Sequence, residues 1–376
     1  MTVLLAFTGF ALVAWIAVLV APAQAHRTRE RLEADPAAPD DLASVAVLIP
    51  ARDEAESIGR TIAALAKQGR NLAVVVVDDQ SSDGTADVAR AASREIDLTV
   101  ISGRPLPDGW AGKLWALEQG LAAVERPFVL LLDADIELVP RMVPTLLREA
   151  HARDASLVSI MAELHCATFW ERLLTPAFVF FFKLLYPFAA SNDPRRRTAA
   201  AAGGCMLVRT DVLRAIGGFA AIRDALIDDC TLAAAVKRHR SPIWLGMSHS
   251  VRSLRVYAEL REFWRMVSRS AFTQLRYSTP SLLLATLLMV ATLLAPVAGV
   301  LVASAEPHIA LLAVAAWLAM SAAYWPIVRF YRLPAAWALT LPIAGALFLA
   351  MTWSSALDHW RGASAQWKNR VYVGRG

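Results

Sequence analysis

At 376 residues, 56% hydrophobic and only 19% charged, the chain is more apolar than an ordinary soluble domain. Its formal net charge of +5 comes with no base-reading motif, which argues against nucleic acid and leaves anionic phosphates and lipid headgroups as partners for the arginine clusters. Cys166, Cys205 and Cys230 show no paired spacing, which argues against a disulfide framework and fits a reducing compartment.

Residues 3–20 form the first uncharged apolar stretch. No Lys or Arg precedes it, whereas Arg27, Arg29 and Arg31 follow. The positive-inside rule then predicts a retained anchor over 1–25, with the chain after it in the cytoplasm. A second reading is a signal peptide, because Ala23-Gln24-Ala25 fits a small-x-small cleavage pattern. Residues 26–44, rich in Ala, Pro and Asp at their end, read as a linker. A strand over 45–49 ends at Pro50, a polar loop follows, and a helix is predicted over 57–67. Val74-Val75-Val76-Val77 is a second strand, Ser82-Asp83-Gly84-Thr85 is turn chemistry, and a helix covers 86–93. A third strand at 98–102, a flexible loop through Gly109-Trp110-Ala111-Gly112-Lys113, a helix over 114–124 and a strand over 129–132 complete the alternation. It predicts an α/β fold with a doubly wound, mostly parallel sheet inside a domain spanning 45–280.

Residues 169–190 are aromatic-rich but interrupted by Glu171, Arg172 and Lys183. Charges at membrane depth are costly, so the segment is expected to lie at the membrane surface or to form an acceptor groove. Three further apolar runs, 282–303, 309–328 and 335–356, are each long enough to span hydrocarbon. They predict a membrane region over 281–357, followed by a tail over 358–376.

Two of the buried strands stop on acids, one at Asp78-Asp79 and one at Asp133-Ala134-Asp135. In an open α/β sheet the carboxyl ends of the strands form one edge, and ligands bind there. Carboxylates clustered there without local counter-charges need a cation, and oxygen donors suit Mg²⁺ or Mn²⁺ bridging to a diphosphate. Asp133 and Asp135 are the expected metal ligands; a solvated acidic loop is the alternative.

Val47-Leu48-Ile49-Pro50-Ala51-Arg52-Asp53-Glu54, the run from Val77 to Thr85, Asp133-Ala134-Asp135 and Gly203-Gly204 through Gly217-Gly218-Phe219 resemble the family 2 glycosyltransferases. That resemblance implies a GT-A fold and inverting transfer from a nucleotide sugar. More narrowly, Phe169-Trp170-Glu171-Arg172, Asn192-Asp193-Pro194-Arg195-Arg196-Arg197, Leu226-Ile227-Asp228-Asp229 and Phe272-Thr273-Gln274-Leu275-Arg276-Tyr277 look like the hopene-associated glycosyltransferases of bacterial hopanoid biosynthesis. The resemblance places Pro50, Arg52, Glu54, Asp78, Asp79, Lys113 and Asp133 in the donor pocket. Asp78 and Asp79 equally suit turn capping, and Lys113 a solvated helix start. Asp229 stands at the position of the catalytic base, with Asp228 before it; a helix N-cap is the other reading of the pair. Gln274 and Arg276 resemble the family's Q-x-x-R-W box, which binds diphosphate and acceptor, but the spacing is one residue short and Tyr277 replaces Trp. Trp367-Lys368-Asn369-Arg370 and Tyr372 resemble a juxtamembrane tail motif on the catalytic side.

The expectation is therefore an integral protein of the bacterial inner membrane with a cytoplasmic catalytic domain. It would transfer sugar from a UDP-sugar to a lipid, a hopanoid by resemblance, using Mg²⁺ or Mn²⁺. A processive polysaccharide synthase and a non-catalytic membrane scaffold are the alternatives.

Overall fold

A computed structural model describes residues 1–93, 96–302 and 304–362, together with the backbone of 366–367 and 370–371. The tail motif expected at Trp367-Lys368-Asn369-Arg370 and Tyr372 lies largely outside the described residues. The chain divides into two compact units. One is built from Glu30–His165 and Ala190–Arg255, the other from Met1–Arg29, Cys166–Ala189 and Val256–Ala363.

The first unit is an eight-stranded sheet with helices on both faces. Its strands are β1 (Val45–Ala51), β2 (Ala73–Asp78), β3 (Asp97–Ser102), β4 (Phe128–Leu132), β5 (Ile136–Leu138), β6 (Leu157–Glu163), β7 (Cys205–Arg209) and β8 (Ile243–Ser253), in the order β3-β2-β1-β4-β7-β6-β8-β5. β1 pairs in parallel with β2 and β4, and β2 with β3. The continuous apolar runs divide with period two between two cores, as a strand covered on both faces requires. Val47, Ile49, Val74, Val76, Leu130 and Leu132 enter one core, with Ile58, Ile62 and Leu65 of the helix Ile58–Leu65. Leu48, Val75, Val77, Val129 and Leu131 enter the other, with Leu114 and Leu117 of the helix Gly112–Leu121.

The other half of the sheet supplies the antiparallel strands of this mostly parallel sheet. β7 runs antiparallel to β4, with Leu132 opposite Cys205, and antiparallel to β6 as well. β8 returns parallel to β6, and β5 pairs antiparallel to β8. An antiparallel strand delivers its entrance, not its exit, to the edge where parallel strands end. The residues before β7 thereby reach the acid-bearing edge.

Residues 30–42, expected as linker, form a bonded strap instead. Arg31 bridges Met247 and Asp41 bridges Arg70. The Glu33 carboxylate accepts from Ser248 Oγ at 2.9 Å, Ser250 Oγ at 2.7 Å and the His249 N–H at 3.0 Å. Leu42 is fully buried.

The second unit is helical. Thr2–Val20, Thr279–Leu301, Pro307–Phe330 and Ala335–Trp360 are long and apolar enough to cross a membrane. A π-turn at Val290–Leu294 interrupts the second of these just before Pro296, whose missing N–H and ring disturb the helix ladder. The aromatic-rich segment is the helix Phe169–Leu185, started by a capping box between Thr168 and Glu171. Phe180 stacks on Trp15 with centroids 6.2 Å apart and lies 5.2 Å from Tyr324. Of the three charges that interrupt this segment, Glu171 and Lys183 are buried. Glu171 accepts from the N–H groups of Ala167, Thr168 and Tyr257. Lys183 Nζ sits 3.6 Å from the Phe188 ring.

Candidate active site

The turn after β2 is locked to the loop after β1. Asp53 accepts from Ser82 N–H and gives its own N–H to Ser81 Oγ, both at 2.9 Å. Glu54 N–H reaches Thr85 Oγ1, and Ala55 N–H reaches Asp83 Oδ2, each at 2.9 Å. Asp83 is thus a structural acid. Asp78 caps this turn through Ser81 N–H at 3.2 Å. Asp79 is fully buried, and the Arg52 guanidinium donates to its carbonyl and stands 3.8 Å from its carboxylate. Pro50 lies inside β1, buried and opposite Val77.

The acids after β4 meet residues from two other elements. Lys113, on the first turn of Gly112–Leu121, places Nζ 2.7 Å from Asp133 Oδ1 and 3.5 Å from Asp228 Oδ2. Its side chain is only 17% exposed, so the solvated-helix-start reading does not hold. Burial by itself would lower the Lys113 pKa, but Asp133 and Asp228 outweigh it and hold the ammonium charged well above its usual range. Asp228 and Asp229 open the helix Asp228–Arg238, where acids face a favourable helix dipole. Asp229 Oδ1 accepts from Cys230 N–H at 2.7 Å. Burial and then the adjacent Asp228 charge push the Asp229 carboxyl up to about 7, against the opposing pull of Cys230 N–H, Lys113 and Gly203 N–H. A group titrating near neutrality suits proton transfer. Burial also pushes the Cys205 thiol up to about 12, which makes it a poor nucleophile.

Asp135 pairs with a residue the sequence reading missed. Arg255, two residues beyond β8, sets Nε 3.0 Å from Asp135 Oδ2 and Nη2 3.2 Å from Glu54 Oε1. The expectation of acids without counter-charges is therefore corrected: Asp133 has Lys113 and Asp135 has Arg255. No local signal marked it: the residues before it, Ser248-His249-Ser250-Val251-Arg252-Ser253, are mostly polar, unlike the apolar runs of β2 and β4.

Two hard carboxylates one residue apart fit Mg²⁺ or Mn²⁺, ions that keep waters and phosphate oxygens for the rest of their shell. Among the described residues no group of three His, Cys, Asp or Glu is arranged to hold a metal, so the chain offers two ligands and not a closed cage. His249 Nδ1 lies 2.9 Å from Glu163 Oε1. Gln274 and Arg276 belong to the helical unit. There Gln274 Nε2 donates to the Tyr186 hydroxyl at 2.8 Å, and Tyr277 stacks on His359 at 4.4 Å.

The sheet order, the helices on both faces and the acid-bearing edge define an α/β fold of the GT-A kind. Residues 46–217 match the model of the Glycosyl transferase family 2. It is 30% identical over 95 residues to a 4,4'-diaponeurosporenoate glycosyltransferase of Staphylococcus haemolyticus (strain JCSC1435), covering 25% of each chain. It is 35% identical over 110 residues to an undecaprenyl-phosphate 4-deoxy-4-formamido-L-arabinose transferase of Salmonella dublin, covering 28% of this chain and 33% of that one. The chain thus spans a quarter to a third of the length of these curated relatives. The mannosyltransferase PcManGT from Pyrobaculum calidifontis, solved with GDP-Man and Mn²⁺, shares the fold: the TM-score is 0.56 at 17% identity, over 93% of this chain and 99% of that one.

Proposed function

We propose that this chain is a membrane-bound inverting glycosyltransferase that moves a sugar from a UDP-sugar to a lipid hydroxyl, a hopanoid, on the cytoplasmic side of a bacterial inner membrane. The observation that carries this reading is the convergence of Asp133 and Asp228 on Lys113, which joins the acid end of β4 to the Asp228–Asp229 helix start. The four apolar helices and the lipid named in the Salmonella relative support a lipid acceptor. The GDP-Man and Mn²⁺ of the structural neighbour support a nucleotide-sugar donor and a divalent ion.

Arg52, Asp78 and Asp79 line the donor side, where a carboxylate accepts from base N–H or ribose hydroxyls. Asp133 and Asp135 would hold the divalent cation, which would supply charge to offset the donor diphosphate. Lys113 fixes Asp133 and Asp228 relative to each other. Asp229 takes the acceptor hydroxyl's proton while that oxygen bonds to the anomeric carbon. The bond from that carbon to the diphosphate oxygen breaks with inversion, and the nucleoside diphosphate leaves with the electron pair. A phosphate acceptor brings an oxygen already ionised near neutrality and needs no base. An acid poised near 7 favours the hydroxyl.

The test is purified full-length protein incubated with a panel of UDP-sugars against hopanoid and undecaprenyl-phosphate lipids, with products identified by mass spectrometry. A glycosylated hydroxyl lipid is expected. Product on the lipid phosphate alone moves the acceptor assignment, and no transfer from any nucleotide sugar overturns the reading.

A further inference from the structure

Asp133 and Asp135 each share a resident cation with an acid from another element. Lys113 bridges Asp133 and Asp228; Arg255 bridges Asp135 and Glu54. The second bridge is built in through the backbone, because Leu254 N–H donates to the Asp135 carbonyl at 2.7 Å. Asp135 and Glu54 are 18% and 15% exposed, whereas the Arg255 side chain is 38% exposed. The acids are therefore held back from water, while the Arg255 side chain reaches solvent. Two half-buried carboxylates without compensation are costly, and Arg255 removes that cost with no metal bound. A divalent ion approaching Asp135 meets a carboxylate already occupied by a positive charge, and two cations on one carboxylate repel.

We propose that Arg255 is a positioning residue that stands in for the divalent cation on Asp135 and yields it when cation and nucleotide arrive together, so that the two bind cooperatively. This rests on the glycosyltransferase reading and its divalent ion. Free of Asp135, Arg255 remains tethered beside it through Leu254 and carries a planar fork suited to phosphate oxygens. Coupling between two ligands is reciprocal: whatever nucleotide adds to cation affinity, the cation adds to nucleotide affinity.

The experiment measures Mn²⁺ binding to the full-length protein by electron paramagnetic resonance, with and without UDP, in wild type and Arg255→Gln. Melting temperature is followed alongside. Without UDP, Arg255→Gln is expected to bind Mn²⁺ about tenfold more tightly than wild type, and UDP should tighten Mn²⁺ binding less in the variant than in wild type. The melting temperature of metal-free Arg255→Gln should fall and recover on adding Mn²⁺. If the Gln variant does not fold, Arg255→Met, which keeps an apolar stem of similar reach, replaces it. Unchanged or weaker Mn²⁺ binding in a folded variant overturns this inference and leaves the transferase reading standing. Absence of Mn²⁺ binding by wild type, with and without UDP, overturns the cation assignment and this inference together.

Discussion

Gly203 lies against the Asp229 carboxylate: a Cβ on residue 203 would stand 3.3 Å from Asp229 Oδ2 and 3.4 Å from its Cβ. That spacing is tight enough that one side must give by a few tenths of an ångström. Gly203→Ala should therefore leave the fold intact and shift Asp229. Small misplacements of a reacting group cost up to ~10²-fold; a loss of about tenfold in turnover at unchanged nucleotide affinity is expected. Full turnover in a folded Gly203→Ala would show that the position of Asp229 is not critical.

Asp229→Asn keeps the shape of the side chain and loses its basicity. Transfer to a hydroxyl lipid should fall about 10²–10⁴-fold, while UDP affinity should hold. Both are read on the same preparation. A collapse of UDP binding would place Asp229 in the donor site.

The raised Asp229 carboxyl fixes the pH dependence. The base must be ionised, so kcat/KM should climb through an apparent midpoint near 7. The Asp228 charge is the second cause of that elevation, so Asp228→Asn should move the rising limb to lower pH. The stability consequence has a definite sign. A carboxyl held above its usual 3.8 binds its proton more strongly in the folded state, so its contribution to stability falls as pH rises from about 4 to about 7. Asp229→Asn should flatten that fall, visible as melting temperatures that converge with wild type at acid pH and exceed it at pH 8.

Donor binding should depend on a divalent ion through Asp133 and Asp135. In calorimetry, EDTA or Asp135→Asn should weaken UDP binding by at least about tenfold. Undiminished binding in EDTA would remove the cation from the site.

Helix Gly112–Leu121 approaches β1 and β2 through Gly120. A Cβ there would meet Leu48 Cδ1 at 2.2 Å and Val77 Cγ2 at 2.8 Å. Overpacking a core of this kind costs about 1–3 kcal/mol, so Gly120→Ala should lower the thermal midpoint in detergent without touching any acid of the cleft. An unchanged midpoint would mean the helix moves off the sheet freely.

The half of the fold that was legible in sequence is the half written in uninterrupted apolar runs. β1, β2 and β4 were recognisable because Val, Leu and Ile continue until Pro50, Asp78 or Asp133 stops them. β6 and β8 carry buried polar residues, and their partners lie far along the chain. Ser159 Oγ accepts the Ala202 N–H at 2.8 Å, and Ser248 and Ser250 are satisfied by Glu33. A local pattern cannot show that such serines are paired, so neither strand is predicted from sequence. The candidate site divides in the same way. Asp79, Asp133 and Asp229 end strands or start helices in recognisable motifs, whereas Arg255 acquires meaning only once β8 brings it beside Asp135 and Glu54.

The antiparallel seam between β4 and β7 also sets an order of assembly. During synthesis β1 to β4 all emerge before β7; β2 and β3 lie near their partners in sequence, whereas β4 reaches back to β1 across more than eighty residues, from Val45 to Phe128. β7 must close on β4 across more than seventy residues, from Leu132 to Cys205, and that interval contains the apolar helix Phe169–Leu185. Long-range pairings of this kind form slowly. A nascent chain ending before residue 205 already contains Arg52, Asp79, Lys113 and Asp133, but neither Gly203 nor Asp229 takes its place until β7 closes. The half of the cleft that carries the proposed donor residues is thus older, within the life of each molecule, than the half that carries the proposed base.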